Sequence, residues 1–451
     1  MIMDKPRISI AGCGFVGLVS AAAFASRGFN VIATTINKKE ANLINSGQSP
    51  FYENGLDEIL KKAHELKNLR VTADNYEAVQ NTDITFISVG TPMKEDKSID
   101  LSYIDNVSKQ LGKALKDKES YHLIVDRSTI LPGTSRNLIG VNLVENSGKS
   151  IGKDFGLCMQ PEFLAEGKSV ENTFYPDRII IGEYDKKSGD TLENTYQLFY
   201  KEYFSQNECP IHRISLESAE LVKYANNCFL ATKVSFANEF ANFAELIPNV
   251  DIKQVMEGIG LDYRINSRFL GAGAGFGGSC FSKDVNAIKN WASQNNYDSK
   301  ILKAVLEIND DQAIHIVNIA EKLLKDLTKK KITILGLSFK AGTSDMREAP
   351  SIRVIKELIK RNVGNIVGYD PKAINEAKEY LKDSIVYVNS TKDALKDSEC
   401  VFILTEWEEF KNLSPEFFIK HMKTPNVIDG RKIYDYIDFN KKLNFKTIGL
   451  K

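Results

Sequence analysis

Along the first part of the chain, short apolar runs alternate with longer stretches in which apolar positions return every three or four residues. Arg7-Ile8-Ser9-Ile10-Ala11 and Asn30-Val31-Ile32-Ala33-Thr34-Thr35 read as buried strands, with a helix over 18–27 between them that Gly28 ends. Residues 82–89, 121–126 and 157–160 repeat the strand pattern, and this half closes near residue 200. From 216 to 246 no Pro or Gly interrupts a run of alanines and large apolar residues, and Pro248 stops it. The pattern predicts one helix about 45 Å long. The last third repeats the first in outline, with strands ending at Gly336, Asp370, Thr405 and Asp429. This alternation predicts an α/β chain of two Rossmann-like, doubly wound domains, residues 1–200 and 316–451, joined by the long helix and a small helical domain, 201–315.

Gly12-Cys13-Gly14-Phe15-Val16-Gly17 stands between strand and helix, the context that makes its spacing a dinucleotide fingerprint. The following strand is expected to close in an acid that binds the adenosine ribose, and it closes in Thr35. Asn37 can hydrogen-bond a ribose, while Lys38 and Lys39 suit a 2′-phosphate, so this segment leaves NAD and NADP both open. No Arg occupies the diagnostic position, and NAD is the expected cofactor. Thr91 and Thr129 end strands, where ligands of open sheets bind; a turn or capping role serves Thr91 equally well. Pro161-Glu162-Phe163-Leu164-Ala165-Glu166-Gly167 sets two carboxylates on one face if the segment is a helical turn. Lys223 and Asn227 lie one turn apart on the long helix, although Lys223 alone reads as a surface lysine.

Gly275-Phe276-Gly277-Gly278-Ser279-Cys280-Phe281-Ser282-Lys283-Asp284 leads small residues into a thiol, with a cation and a carboxylate behind it. A helix starting near Ser279 favours the thiolate through its N–H groups and dipole, and sets Asp284 one turn from Cys280. Cys280 therefore reads as a nucleophile rather than a buried structural thiol. The turn Gly336-Leu337-Ser338-Phe339-Lys340 lacks the remaining fingerprint glycines, which suits an anionic ligand at Lys340 better than a second dinucleotide.

Lys plus Arg and Asp plus Glu each number 59, so the formal charge is zero and nothing draws the whole chain to nucleic acid or anionic lipid. A hydrophobic content of 43% excludes a disordered chain. The six cysteines include no C-x-x-C pair, which argues against a disulfide framework or a zinc site and suits the cytoplasm. Lys5 and Arg7 before an apolar stretch mimic a signal peptide, but the fingerprint accounts for that stretch. No membrane span and no metal are expected.

Taken in order, these motifs resemble the UDP-glucose/GDP-mannose dehydrogenase family over essentially the whole chain. The resemblance rests on the fingerprint with Leu18-Val19 behind it, Ser128-Thr129, the 161–167 segment, Lys223 with Asn227, the 275–284 loop, the 339–348 segment and Glu406-Trp407. It implies a four-electron oxidation of a nucleotide sugar's C6 alcohol to a carboxylate with two NAD per sugar, through a thiohemiacetal and then a thioester on Cys280. It assigns Lys223 and Asn227 to the C6 oxygen, Asp284 and Thr129 to ordering water, and Glu162 to acid or base work in hydrolysis. The first base stays open among Lys223, Asp284 and a bound water. Implied cofactor contacts are Gly12, Gly14, Phe15, Val16, Gly17, Thr35, Thr91, Thr129, Glu166, Lys283 and Arg347. Implied substrate contacts are Glu162, Phe163, Leu164, Lys223, Asn227, Phe276, Gly277, Lys340, Arg431 and Arg264, the last from a neighbouring subunit of a homodimer.

Departures from the family pattern are Thr35 for an acid, Gln160 for Asn and Arg127 for Lys. UDP-glucose is the favoured substrate on Ala165-Glu166-Gly167 and the run of the central helix, with GDP-mannose as its rival. Members acting on N-acetylated UDP-sugars carry His and Pro where this chain has Ser279 and Val19. Readings of another class are a two-electron dehydrogenase in which Lys223 acts and Cys280 is structural, and a non-catalytic nucleotide binder or thiol switch.

Overall fold

A computed structural model describes residues 4–201 and 209–451, so residues 202–208, near the start of the 201–315 segment, lie outside the described residues. The apolar runs form the strands Ile8–Ala11 (β1), Val31–Thr34 (β2), Leu69–Thr72 (β3), Ile84–Ile87 (β4), His122–Asp126 (β5), Phe155–Met159 (β6), Ile179–Glu183 (β7) and Ile211–Ser215 (β8). They make one sheet in the order β3-β2-β1-β4-β5-β6-β7-β8. β1, β4, β5 and β6 are buried at every residue, as strands covered by helices on both faces must be. Only β6 and β7 run antiparallel, with Met159 opposite Gly182. The strand order reverses at β1, which lies between β2 and β4, and the crevice at such a switch point is where a doubly wound sheet binds its ligand.

A second sheet contains Lys331–Leu335 (β9), Asn365–Tyr369 (β10), Val386–Tyr387 (β11), Cys400–Ile403 (β12), Asn426–Asp429 (β13) and Asn444–Thr447 (β14), ordered β11-β10-β9-β12-β13-β14 and parallel throughout. The chain gathers into two compact units, Met1–Ala225 and Asn226–Lys451. The division falls inside the helix Leu216–Ala244, which ends two residues short of the expected Leu246. Within the second unit, Ala237, Ala241, Ile252, Met256 and Leu270 share one core with Ile316, Ile332, Ile334 and Phe402. Helical segment and second sheet are thus a single packed body, because the small alanines of the long helix let neighbouring side chains close on it. Among the described residues no helix is long and apolar enough to cross a membrane.

A polar chain runs through the base of the first sheet. Ser9 Oγ meets Thr85 Oγ1 at 2.6 Å, Thr85 Oγ1 meets His122 Nε2 at 2.7 Å, and His122 Nδ1 lies 3.1 Å from the Thr82 carbonyl. Burial, reinforced by the Lys118 cation, pushes the His122 imidazole from 6.5 down to about 3. Between those values the unfolded chain binds a proton that the folded chain refuses, so stability falls as pH falls through that window. We expect denaturant titrations to show a loss on the order of 3 kcal/mol from neutrality to about pH 4.5. His122→Gln should flatten this part of the profile.

Candidate active site

At the end of β1 the chain turns through Gly12 into the helix Phe15–Ser26. A side chain at Gly12 would strike the Ser88 carbonyl and one at Gly17 the Gly12 carbonyl, whereas one at Gly14 would meet nothing within 4 Å. The outer glycines let strand and helix close together, and the middle one leaves an open face. No side chain caps this helix and no acid stands in its first turn. The N–H groups of Phe15 and Val16 precede the first intrahelical bond, from Leu18 to the Gly14 carbonyl, and with the helix dipole they suit a pyrophosphate. The loops after β4 and β5 are tied together: the Val89 N–H donates to Ser128 Oγ at 3.2 Å and Thr91 Oγ1 to the Thr129 carbonyl at 2.8 Å. Thr91 therefore spends its proton on the loop after β5, while Thr129 stays half-buried.

Glu162 and Glu166 do not share a helical face. Residues 161–165 carry no helical turn, because Pro161 has no N–H to give and the Glu162 carboxylate accepts the Leu164 N–H at 2.6 Å. Glu166 is half-buried in a bend held by Glu53, whose carboxylate accepts the Gly167 and Ser169 N–H groups at 2.7 and 2.8 Å. Glu162 turns inward to Lys223, whose Nζ donates to its Oε1 at 2.9 Å and to its carbonyl at 2.6 Å. The Lys223 and Glu162 side chains are 5% and 9% exposed, so the lysine that composition alone would place on the surface is a buried cation. Burial by itself would raise the Glu162 carboxyl, but the Lys223 ammonium and the Leu164 N–H outweigh it and hold the group below its ordinary range. Lys223 Nζ also lies 5.6 Å from the Phe163 ring centre.

In the second unit a helix starts at Ser279, as expected, after Gly278 at φ +82°, a left-handed backbone that favours glycine. Cys280 is the second residue of this helix, which has no side-chain cap and no acid in its first turn, and Ser279 Oγ lies 3.8 Å from Sγ. Cys280 is exposed; the other five cysteines are buried or half-buried, and burial pushes the Cys13 and Cys228 thiols up to about 12. One turn along the helix, buried Asp284 accepts from Asn227 Nδ2 at 2.7 Å and pairs with Lys283 Nζ at 2.7 Å. The approach to the cysteine is pinned through Phe276. Its N–H donates to Asn309 Oδ1 at 2.7 Å, and its carbonyl accepts from Arg353 Nη2 at 2.7 Å. Gly277 has room for no side chain against the Glu348 carbonyl, and the Gly278 N–H donates to the Arg347 carbonyl at 2.9 Å.

Arg431 spans the strand-end loops, donating to the Leu404 carbonyl at 2.7 Å and the Phe339 carbonyl at 3.2 Å. Beside it Met256, Ser267, Leu270, Ala272 and Lys432 line a cavity of about 260 Å³. Lys340 lies 5.4 Å from the Phe339 ring centre in the same loop. Arg264 is 74% exposed and pairs with Asp262, and Arg347 pairs with Asp345. Glu53, Asn309 and Arg353 escaped sequence reasoning, because each holds a distant backbone group and leaves no local spacing to read. Among the described residues no group of three or more His, Cys, Asp or Glu is placed to hold a metal ion.

Comparison with known proteins matches the NAD-binding domain of the UDP-glucose/GDP-mannose dehydrogenase family to residues 6–200, its central domain to 217–311 and its UDP-binding domain to 333–436. The UDP-glucose 6-dehydrogenase of Haloferax volcanii is 38% identical over 94% of this chain and 96% of its own. The chain belongs to the UDP-glucose/GDP-mannose dehydrogenase family. The GDP-mannose 6-dehydrogenase of Pseudomonas syringae pv. tomato is 35% identical, with 96% of each chain covered. A solved UDP-glucose dehydrogenase from Pyrobaculum islandicum is similar with a TM-score of 0.90 and 34% identity, over 99% of this chain and 98% of that one. Family membership makes this chain an NAD-dependent oxidoreductase that takes a nucleotide sugar to a uronic acid.

In the region matched by the family's UDP-binding domain, the turn after β9 is tied to the end of β10. Asp370, just past β10, accepts the Leu337 and Ser338 N–H groups at 2.9 and 3.0 Å and Trp407 Nε1 at 3.1 Å. Two backbone donors of this turn are thereby satisfied within the fold.

Removing one partner of a buried ion pair strands the other. We expect Lys223→Met to lower the unfolding free energy by about 3–5 kcal/mol. The same change combined with Glu162→Leu should recover most of the loss, as read from urea unfolding of both variants and the parent.

Proposed function

We propose that this enzyme oxidises UDP-glucose at C6 to UDP-glucuronate through a covalent adduct on Cys280. The observation that carries the reading is the position of that thiol. It alone among the six is exposed, and it opens an uncapped helix behind a loop pinned at Phe276 and Gly278. Bound NAD supplies the hydride acceptor, twice per sugar. C6 gives its first hydride to that acceptor while its hydroxyl proton passes to a base, one of Lys223, Asp284 or a bound water, and Lys223 and Asn227 stabilise the oxygen of the aldehyde that forms. Sγ then bonds to the aldehyde carbon while the oxygen takes a proton, giving a thiohemiacetal; loss of hydride and of that proton leaves a thioester. Asp284 and Thr129 order the water that attacks it. Glu162 accepts the water proton as the thiolate departs to the helix N-terminus.

The relatives named for UDP-glucose support that substrate, and the cavity beside Arg431 is assigned to its nucleotide. Phe229, Phe236, Phe240 and Phe243 stand exposed on the helix Leu216–Ala244, which supports a homodimer built on that stripe. Six reduced thiols suit the cytoplasm.

With UDP-glucose the parent should yield uronate and two NADH per sugar. Cys280→Ala should form no acid while keeping its fold and its NAD affinity. Near-normal uronate from that variant, or a parent that stops at an aldehyde after one NADH, rules the mechanism out. Running GDP-mannose, UDP-galactose and UDP-N-acetylglucosamine beside UDP-glucose decides the substrate.

A further inference from the structure

Recognition of an adenosine ribose in this fold asks for a carboxylate at the end of the second strand, and Thr35 stands there instead. The structure brings a carboxylate to that place from the following helix. Glu40 is the third residue of the helix Lys38–Asn45, and its Oε2 lies 3.4 Å from Thr35 Oγ1. The same charge is felt inside the fingerprint, where after burial it is the second cause that raises the Cys13 thiol. Glu40 is half-buried, whereas its neighbours Lys38 and Lys39 are exposed. Asn37, the other ribose candidate, is occupied as the helix cap, its Oδ1 accepting the Lys39 and Glu40 N–H groups at 3.1 and 3.3 Å.

We infer that Glu40 recognises the adenosine ribose and sets the preference for NAD over NADP, taking the part of the missing strand-end acid. Thr35 positions it: Thr35 Oγ1 accepts the Asn37 N–H at 3.2 Å and turns its own proton toward Glu40. A carboxylate there accepts hydrogen bonds from the ribose hydroxyls and repels a 2′-phosphate, which has no hydroxyl to offer and carries charge of its own. Lys38 and Lys39 pull the other way, so Glu40 is the group that decides the balance in this turn. Stabilising a helix N-terminus is the ordinary task of a glutamate at its third position. That task is indifferent to which dinucleotide is present, which separates the two roles. The inference rests on the NAD-binding role of the first unit and not on the Cys280 chemistry.

The test is isothermal titration of the full chain with NAD and with NADP, no sugar nucleotide present, so its outcome is independent of the UDP-glucose reading. The parent should prefer NAD. Glu40→Gln keeps the shape and the helix position but loses the charge, and should weaken NAD and narrow the ratio of the two dissociation constants by about tenfold or more. Adding Thr35→Asp to Glu40→Gln should restore the preference, which a purely structural role for Glu40 does not predict. Melting temperatures of the unliganded variants report the fold separately. A parent that binds both nucleotides alike, a ratio unmoved by Glu40→Gln, or a failure of Thr35→Asp to restore it overturns the assignment.

Discussion

A carboxylate taken out of water must be met by donors, and this molecule uses that demand to fix its irregular segments. Glu53 takes two backbone N–H groups and so holds the bend that carries Glu166. Glu162 takes the Lys223 ammonium and the Leu164 N–H, tying the loop after β6 to the start of the helix Leu216–Ala244. Asp284 gathers Asn227 and Lys283, and Asp370 ties the ends of β9 and β10 together. Asp284 joins two helices, Ser279–Gln294 and Leu216–Ala244, whereas the other three segments have no ladder of their own to fix them. A buried acid with its donors in place does that work, because losing any donor would strand a desolvated charge.

The same logic separates one thiol from the others. Cys13, Cys158, Cys228 and Cys400 are buried, and burial raises each of them, so they remain protonated and inert. Cys280 differs by position rather than by residue type. No side chain caps its helix, whose N-terminal dipole favours an anion, and the backbone before it is clamped by Asn309 and Arg353 from distant parts of the second unit. A nucleophile needs both a reason to ionise and a fixed place to stand. Glycine at 277 and 278 provides the second, since the chain there lies against the Glu348 carbonyl and the Phe339 ring with no room for a side chain.

How much of this was legible follows from range. Strands buried on both faces announce themselves as continuous apolar runs, which is why β1, β4 and β5 fall within the expected segments. The helix at Ser279 and the fingerprint at Gly12 were readable too, since each is set by its own few residues. The shared face that a helical turn would give Glu162 and Glu166 is not there, because spacing four apart carries no information once Pro161 and a side-chain bond to Leu164 redirect the backbone. Lys223 taken alone reads as a surface residue, and only together with the other motifs as the partner of an anionic centre, because nothing near it in sequence pairs with it; Glu162 lies 61 positions away. Glu53, 114 positions from Gly167, was silent for the same reason.

The two sheets show how one topology divides its labour through a single strand-end position. In the second unit the residue just past β10 is an acid, Asp370, but its carboxylate is committed to the Leu337 and Ser338 N–H groups and to Trp407. That commitment takes up two of the turn's backbone donors. In the first unit the matching position past β2 is a threonine, the turn beyond β1 keeps an open glycine face, and the nearby carboxylate arrives from a helix. A strand-end acid is therefore not required of the NAD-binding unit. An acid at that position can serve the turn itself rather than a ligand, and only its partners tell which.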